Sequence, residues 1–202
     1  MKRAPADVLR AIARRSVEAV AFLTPLFVLP WTVSPLEINK QGVFYLLATI
    51  GILAWLGYVL LTRTLHGSLQ KLWLPFLVFF GCVAVSTVLS VDPYTSIFGQ
   101  LNQEYTSLVT IALGMILAFV ASQILDVSSI RAVMKFALLS AALVAGVALV
   151  AFFGLTFDTF PTNLLGTPNA LAVYLIVMSC VGSALLMTGT LETEREKYTI
   201  GI

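Results

Sequence analysis

Charged residues are absent from six long stretches of this 202-residue chain, and that absence limits its fold more than any other feature. The stretches run from Ala19 to Leu36, Gln41 to Thr62, Leu72 to Val91, Tyr105 to Leu125, Phe136 to Phe157 and Thr159 to Leu191. Each holds about the 20 apolar residues that cross a bilayer core at a helical rise of about 1.5 Å per residue. A backbone in lipid must satisfy its own hydrogen bonds, so such stretches read as helices. The expected fold class is all-α, a polytopic transmembrane helix bundle. Its six spans are expected at about 17–33, 42–62, 72–89, 106–125, 133–155 and 169–189.

Composition agrees: 59% of the residues are hydrophobic and 11% charged, far below the roughly 25% charged of soluble domains. The net charge of +2 says little, but its distribution sets an orientation. Lys2, Arg3, Arg10, Arg14 and Arg15 precede the first span. Arg63 and Lys71 lie between the second and third, Arg131 and Lys135 between the fourth and fifth, and Arg195 and Lys197 after the sixth. Only Lys40 falls on the other side, so 11 of 12 basic residues share one face. The positive-inside rule makes that face cytoplasmic, with N-in and C-in termini. Residues 1–16 then form a basic cytoplasmic arm, 17–191 the membrane domain and 192–202 a cytoplasmic tail. The arm is suited to orienting the chain and touching anionic headgroups, with no nucleic acid among the expected partners. The first span lacks an A-x-A cleavage signal and reads as a retained anchor.

Cys82 and Cys180 fall within spans and read as small apolar residues. The lone histidine, His66, sits in an inner loop, and no Cys/His/Asp cluster supports a metal site. Pro25 and Pro30 should bend or end the first span. Pro75 falls in the expected first turn of the third span, where its missing N–H costs little. The fifth span places Ala137, Ala141 and Ala145 on one stripe and Ala142 with Gly146 on the next, the pattern of an interior helix.

Two outer loops are less generic. Ser86 to Thr110 contains Asp92-Pro93, a turn signal, with Tyr94, Phe98 and Tyr105 suited to the membrane–water interface. Phe153 to Leu175 alternates aromatic and polar residues before Gly166-Thr167-Pro168-Asn169. The simpler reading of both is a turn into a helix start, with Asn169 as an N-cap.

Taken together and in this order, the two loops resemble the O-antigen ligase and O-antigen polymerase superfamily of membrane proteins. The first resemblance rests on Ser86, Ser90, Asp92, Pro93, Tyr94, Ser96, Ile97, Phe98 and Gly99. The second rests on Gly166, Thr167, Pro168, Asn169, Leu171, Ala172, Tyr174 and Leu175. It covers roughly residues 20 to 190, including span order and motif spacing. The arginines that family members often carry after the first motif and before the second are absent here. The large outer loop of the family's second half, which carries its catalytic His and Arg, has no counterpart, so the expectation is an amino-terminal half, a truncated chain.

The resemblance implies a glycosyltransferase of the bacterial inner membrane. It would move a glycan from a polyprenyl diphosphate carrier to a sugar, lipid or protein acceptor at the outer face. No cofactor is implied. The partners implied are the polyprenyl diphosphate-linked glycan, membrane lipids and the missing carboxyl-terminal half. Such a reaction needs a base for the acceptor hydroxyl and donors for the diphosphate charge. Asp92, Glu104 and Asp158 are the candidate outer bases and Lys40 the one outer cation, so no residue is assigned as catalytic. Asp92, Tyr94, Gln100, Glu104, Tyr105 and Asn169 are put forward as substrate-binding. Two other classes remain: a small-solute transporter, disfavoured by spans without ionisable cores, and a non-catalytic membrane module of a glycan-export complex.

The orientation has a direct test. With Cys82 and Cys180 replaced, Ser96→Cys and Thr162→Cys should react with an impermeant thiol reagent from outside intact cells. Ser68→Cys should not, and its labelling from outside would overturn the orientation.

Overall fold

The computed structural model describes residues 3–27, 37–63, 70–99, 107–153, 164–165 and 168–187. The described residues form seven helices and no strand: α1 Arg3–Leu26, α2 Glu37–Thr62, α3 Gln70–Val88, α4 Pro93–Phe98, α5 Leu108–Ile124, α6 Val127–Phe152 and α7 Pro168–Met187. Three are long and apolar enough to cross a membrane: α2 over Asn39–Thr62, α6 over Val127–Phe152 and α7 over Pro168–Met187. The all-helical, membrane-spanning character expected from the sequence is therefore present. His66 and the tail 192–202 lie outside the described residues.

The remaining expected spans take different forms. α1 begins at Arg3 rather than near residue 17, so Arg3, Arg10, Arg14 and Arg15, assigned to an arm, belong to the helix. Its charges stabilise that continuation locally. Arg14 Nε lies 2.9 Å from Glu18 Oε1 and Arg15 Nη1 lies 2.7 Å from Glu18 Oε2, pairs at the i,i+4 and i,i+3 spacings that neighbour on a helix. α1 stops at Leu26, one residue past Pro25, as the proline signal anticipates. α3 carries a shorter apolar stretch over Leu74–Val88. α3 starts at Gln70, so Pro75 lies beyond the first turn and leaves the carbonyl four residues earlier without its helical donor. α5 has 17 residues, about 25 Å, against a hydrocarbon core of about 30 Å. Ser107 caps its start by accepting from the Thr110 N–H, and the chain leaves helical geometry at Leu125.

Packing centres on an antiparallel α1–α2 pair. Ser16 meets Gly51 and Leu9 meets Gly57, so closely that a methyl on either glycine would lie 3.1 Å from its neighbour. Ala6, Ala13, Ala48 and Ala54 are buried along the same seam. α5 closes the third side: Ala13, Ala54, Trp55, Val120 and Ile124 form one buried cluster, and Val17, Ala48 and Leu117 another. Trp55 and Phe119 meet edge to face at 5.5 Å. α6 runs beside α1, with Phe22 and Phe136 at 6.2 Å.

α6 is not the interior helix that its small-residue stripes suggested. It buries Ser129, Ser140, Ala141 and Val144, whereas Ala142 is exposed and nothing lies within 4 Å of a methyl built on Gly146. A stripe of small residues permits close approach but does not choose the partner. α3 and α7 flank the bundle and leave most of their apolar surface open.

These contacts sort the helix ends. The start of α1, the ends of α2 and α5 and the start of α6 gather at one end, where Arg10 donates to the Ile124 carbonyl at 3.3 Å. Arg10, Arg14, Arg15, Arg63, Arg131 and Lys135 lie towards that end. The start of α2, the end of α3, α4 and the start of α5 gather at the other, with Lys40.

The seam sets a stability expectation. Gly51→Leu should lower stability in detergent by about 1–3 kcal/mol, because the added atoms meet Ser16 and Leu117. Gly146→Leu, with open space around it, should change it far less. A thermal melt of both variants compares them.

Candidate functional site

The segment carrying the first motif folds by local hydrogen bonding. Asp92, with extended backbone at φ −129°, caps α4, and Pro93 occupies the first helical position, where a missing N–H is harmless. The Asp92 carboxylate accepts from the Thr95 N–H at 3.3 Å and from the Thr95 hydroxyl. Ser96 Oγ donates to Ser90 Oγ at 2.7 Å, and Ser90 Oγ accepts from the Asp92 N–H at 3.3 Å. Gly99 closes the helix at φ 89°, a left-handed geometry that suits glycine, with its N–H on the Thr95 carbonyl at 2.7 Å. The serines, aspartate, proline and glycine of the motif thus build one capped turn.

That turn forms the mouth of a groove of about 1330 Å³ between α3, α4 and the start of α5. Its wall is apolar, with Val78, Phe79, Cys82, Val85 and Ile111. Its rim carries the hydroxyls of Ser86, Ser90, Thr95 and Ser96. Further along the α3–α5 boundary lies an apolar crevice of about 260 Å³ between Leu77, Phe80, Met115 and Phe119. The groove is therefore amphipathic along its length: hydroxyl-rich at the mouth and apolar towards the middle of the bundle.

A second polar feature crosses the same end. Gln41 is buried on α2 and donates to Tyr45 Oη at 2.6 Å and to Thr110 Oγ1 at 3.1 Å. Tyr45 Oη and Thr110 Oγ1 lie 2.6 Å apart, and Ser107 Oγ lies 2.8 Å from Thr110 Oγ1. Lys40, 4% exposed, donates from Nζ to the Leu164 carbonyl, four residues before α7. The belt therefore links the start of α5, which abuts α4, to the approach to α7. Sequence reading noted Lys40 only as an outer cation and missed the rest. The signal was available in polar pairs at helical spacing, Gln41 with Tyr45 and Ser107 with Thr110, at the edges of charge-free runs.

Of the residues put forward for substrate contact, Asp92 and Tyr94 lie together on the capped turn, where Tyr94 is exposed and packs on Phe98 at 5.0 Å. Asn169 is exposed in the first turn of α7, inside the helix rather than at its cap, because α7 begins at Pro168. α4 packs on α3 and α5, and α7 on α6, so the two motif regions share an end of the bundle but lean on different helices. Gln100, Glu104 and Tyr105 lie outside the described residues, as does Asp158.

The chemistry of Asp92 follows from its bonds. The Thr95 hydroxyl and then the Thr95 N–H hold its carboxyl below the usual carboxylate range. That makes it a weak base and a firm cap. Glu18 and Lys40 are both buried within helices, at the margins of the first and second expected spans rather than in their cores. No family model, curated protein or solved structure matches this chain.

A carboxylate with a lowered folded value stabilises its turn above the unfolded value, near 4, and loses that contribution as pH falls through the folded one. Hydrogen exchange of the amides of residues 94–99 should therefore report fraying of α4 as acid neutralises Asp92. Asp92→Ala should show the same fraying at neutral pH, while Asp92→Asn, which keeps a capping oxygen, should show less.

Proposed function

We propose that this chain is the amino-terminal half of an O-antigen ligase-like membrane glycosyltransferase. It would hold a polyprenyl diphosphate-linked glycan at the outer face of a bacterial inner membrane for transfer to a sugar, lipid or protein acceptor. The observation that carries this reading is the α3–α4–α5 groove. Its apolar wall suits an isoprenoid chain, and its hydroxyl rim, built by the motif residues Ser86, Ser90 and Ser96, suits a polar head. The belt from Thr110 through Gln41 to Lys40 supports it, because it ties α5, beside the first motif, to the approach to the second.

In this reading the six spans run N-in and C-in, with α1, α3 and α5 completed as spans by tilt, local thinning or flanking residues. The described part provides scaffold and carrier groove, while the proton transfer and the main diphosphate contacts come from residues beyond it. Asp92 serves as a cap rather than as the base. The non-catalytic module and the small-solute transporter make different predictions for the groove.

A photoreactive polyprenyl diphosphate disaccharide, added to membranes holding the full chain, should crosslink to α3 and α5 around Cys82 and Ile111. Cys82→Trp, which fills the groove wall, should reduce crosslinking by about tenfold or more. Labelling that ignores this substitution, or that falls on α7, would reject the carrier groove and leave the alternatives in its place.

A further inference from the structure

The opposite end of the bundle carries a separate cleft of about 320 Å³ between α1 and the junction of α5 with α6. Asp7, Arg10, Arg14 and Arg15 line it from α1, and Asp126 and Ser129 from the start of α6. The fold brings these side chains together from positions more than a hundred residues apart, and the Arg10–Ile124 hydrogen bond fixes the two walls.

The cleft is basic in appearance but balanced in charge. Arg14 and Arg15 share the buried Glu18, and Asp7 and Asp126 face the same space, so three arginines stand against three carboxylates. A purely anionic headgroup would meet carboxylates as well as guanidinium groups there. Asp7 lines the cleft from α1 beside the guanidinium groups, and Asp126 lines it from the cap of α6. Asp126 accepts from the Ser129 N–H at 3.0 Å and from the Ser129 hydroxyl, which anchors its carboxylate. Its carboxyl is lowered to about 2 by these bonds, so it is ionised across the physiological range.

Depth adds the second constraint. The cleft adjoins the first turn of α6, where a span-length helix begins, so it lies at the headgroup level of whichever leaflet that end occupies. Val8, Ile12, Val127 and Ile130 around it are exposed and apolar, suited to the glycerol and upper acyl region of a lipid.

We propose that this cleft is a binding site for the zwitterionic headgroup of a phosphoethanolamine lipid. The phosphate takes charge-assisted hydrogen bonds from Arg10 and Arg15, whose guanidinium groups keep donors beyond those used within the protein. The ammonium donates to the carboxylates of Asp7 and Asp126. A choline headgroup carries the same charges without N–H donors, and a phosphoglycerol headgroup lacks the cation. The site therefore ranks phosphoethanolamine lipid above both. This inference does not rest on the proposed transferase function, since it concerns the other end of the molecule.

Native mass spectrometry of the full chain in detergent tests it, with phosphatidylethanolamine, phosphatidylcholine and phosphatidylglycerol of identical acyl chains supplied in equal amounts. Phosphatidylethanolamine should be retained about fivefold or more over each of the others, the scale of one headgroup charge contact. Asp7→Asn, at an exposed position, should abolish that preference, and Arg10→Gln should weaken retention of all three lipids. Arg131→Gln combined with Lys135→Gln removes two charges from the same end outside the cleft and should leave the preference intact. Phosphatidylglycerol retained as well as phosphatidylethanolamine would overturn the proposal. So would a preference that survives Asp7→Asn, or one lost equally in the Arg131/Lys135 variant, since each leaves only general electrostatic attraction.

Discussion

The close seam between α1 and α2 organises the rest of the molecule. Lipid chains are as apolar as leucine, so membrane helices associate through packing and hydrogen bonds rather than by escaping water. Gly51, Gly57 and the alanines at 6, 13, 48 and 54 allow the backbones to approach far enough for dispersion contacts to accumulate. α5 then has a continuous surface to pack on, and α6 follows along α1. α3 and α7 have no comparable seam and lie at the margins, which is why the large groove opens beside α3.

The short central helix has consequences at both ends. α5 is about 25 Å long while α2 and α6, with 26 residues each, reach about 39 Å. Where α5 stops, its taller neighbours enclose polar ground. At one end this is the belt of Ser107, Thr110, Gln41 and Tyr45, with Lys40 beside it. At the other it is the cleft around Arg10 and Asp126. Buried polar groups of this kind persist only when hydrogen-bonded, and these are. Helix length and polar recesses are thus one feature of the architecture seen twice.

Motif residues in such a setting hold two roles that sequence alone merges. Asp92 lies in the first loop motif, yet its carboxylate is occupied by Thr95 and its proline neighbour starts a helix. The chemical contribution of the segment lies in what the turn presents: a hydroxyl rim at the mouth of an apolar wall. Lys40 does the converse, since an isolated cation in the sequence becomes, in the fold, the tie between α2 and the approach to α7.

The helical, membrane-spanning character was legible in the spacing of charges, because hydrocarbon excludes both unpaired backbone and charge over about 20 residues. The Asp92-Pro93 turn and the stop at Pro25 were legible for a similar reason: proline geometry acts locally. Pairing was not. The alanine stripes of α6 suggested an interior helix, but the seam formed between α1 and α2, and only α1's continuation to Arg3 made it long enough. Gln41 and Thr110, or Asp7 and Asp126, are distant in sequence, and no periodicity announces that they meet. Local chemistry and the solvent determined the elements; which faces approach, and which polar groups gather in the recesses between them, depended on complementary packing over the whole bundle.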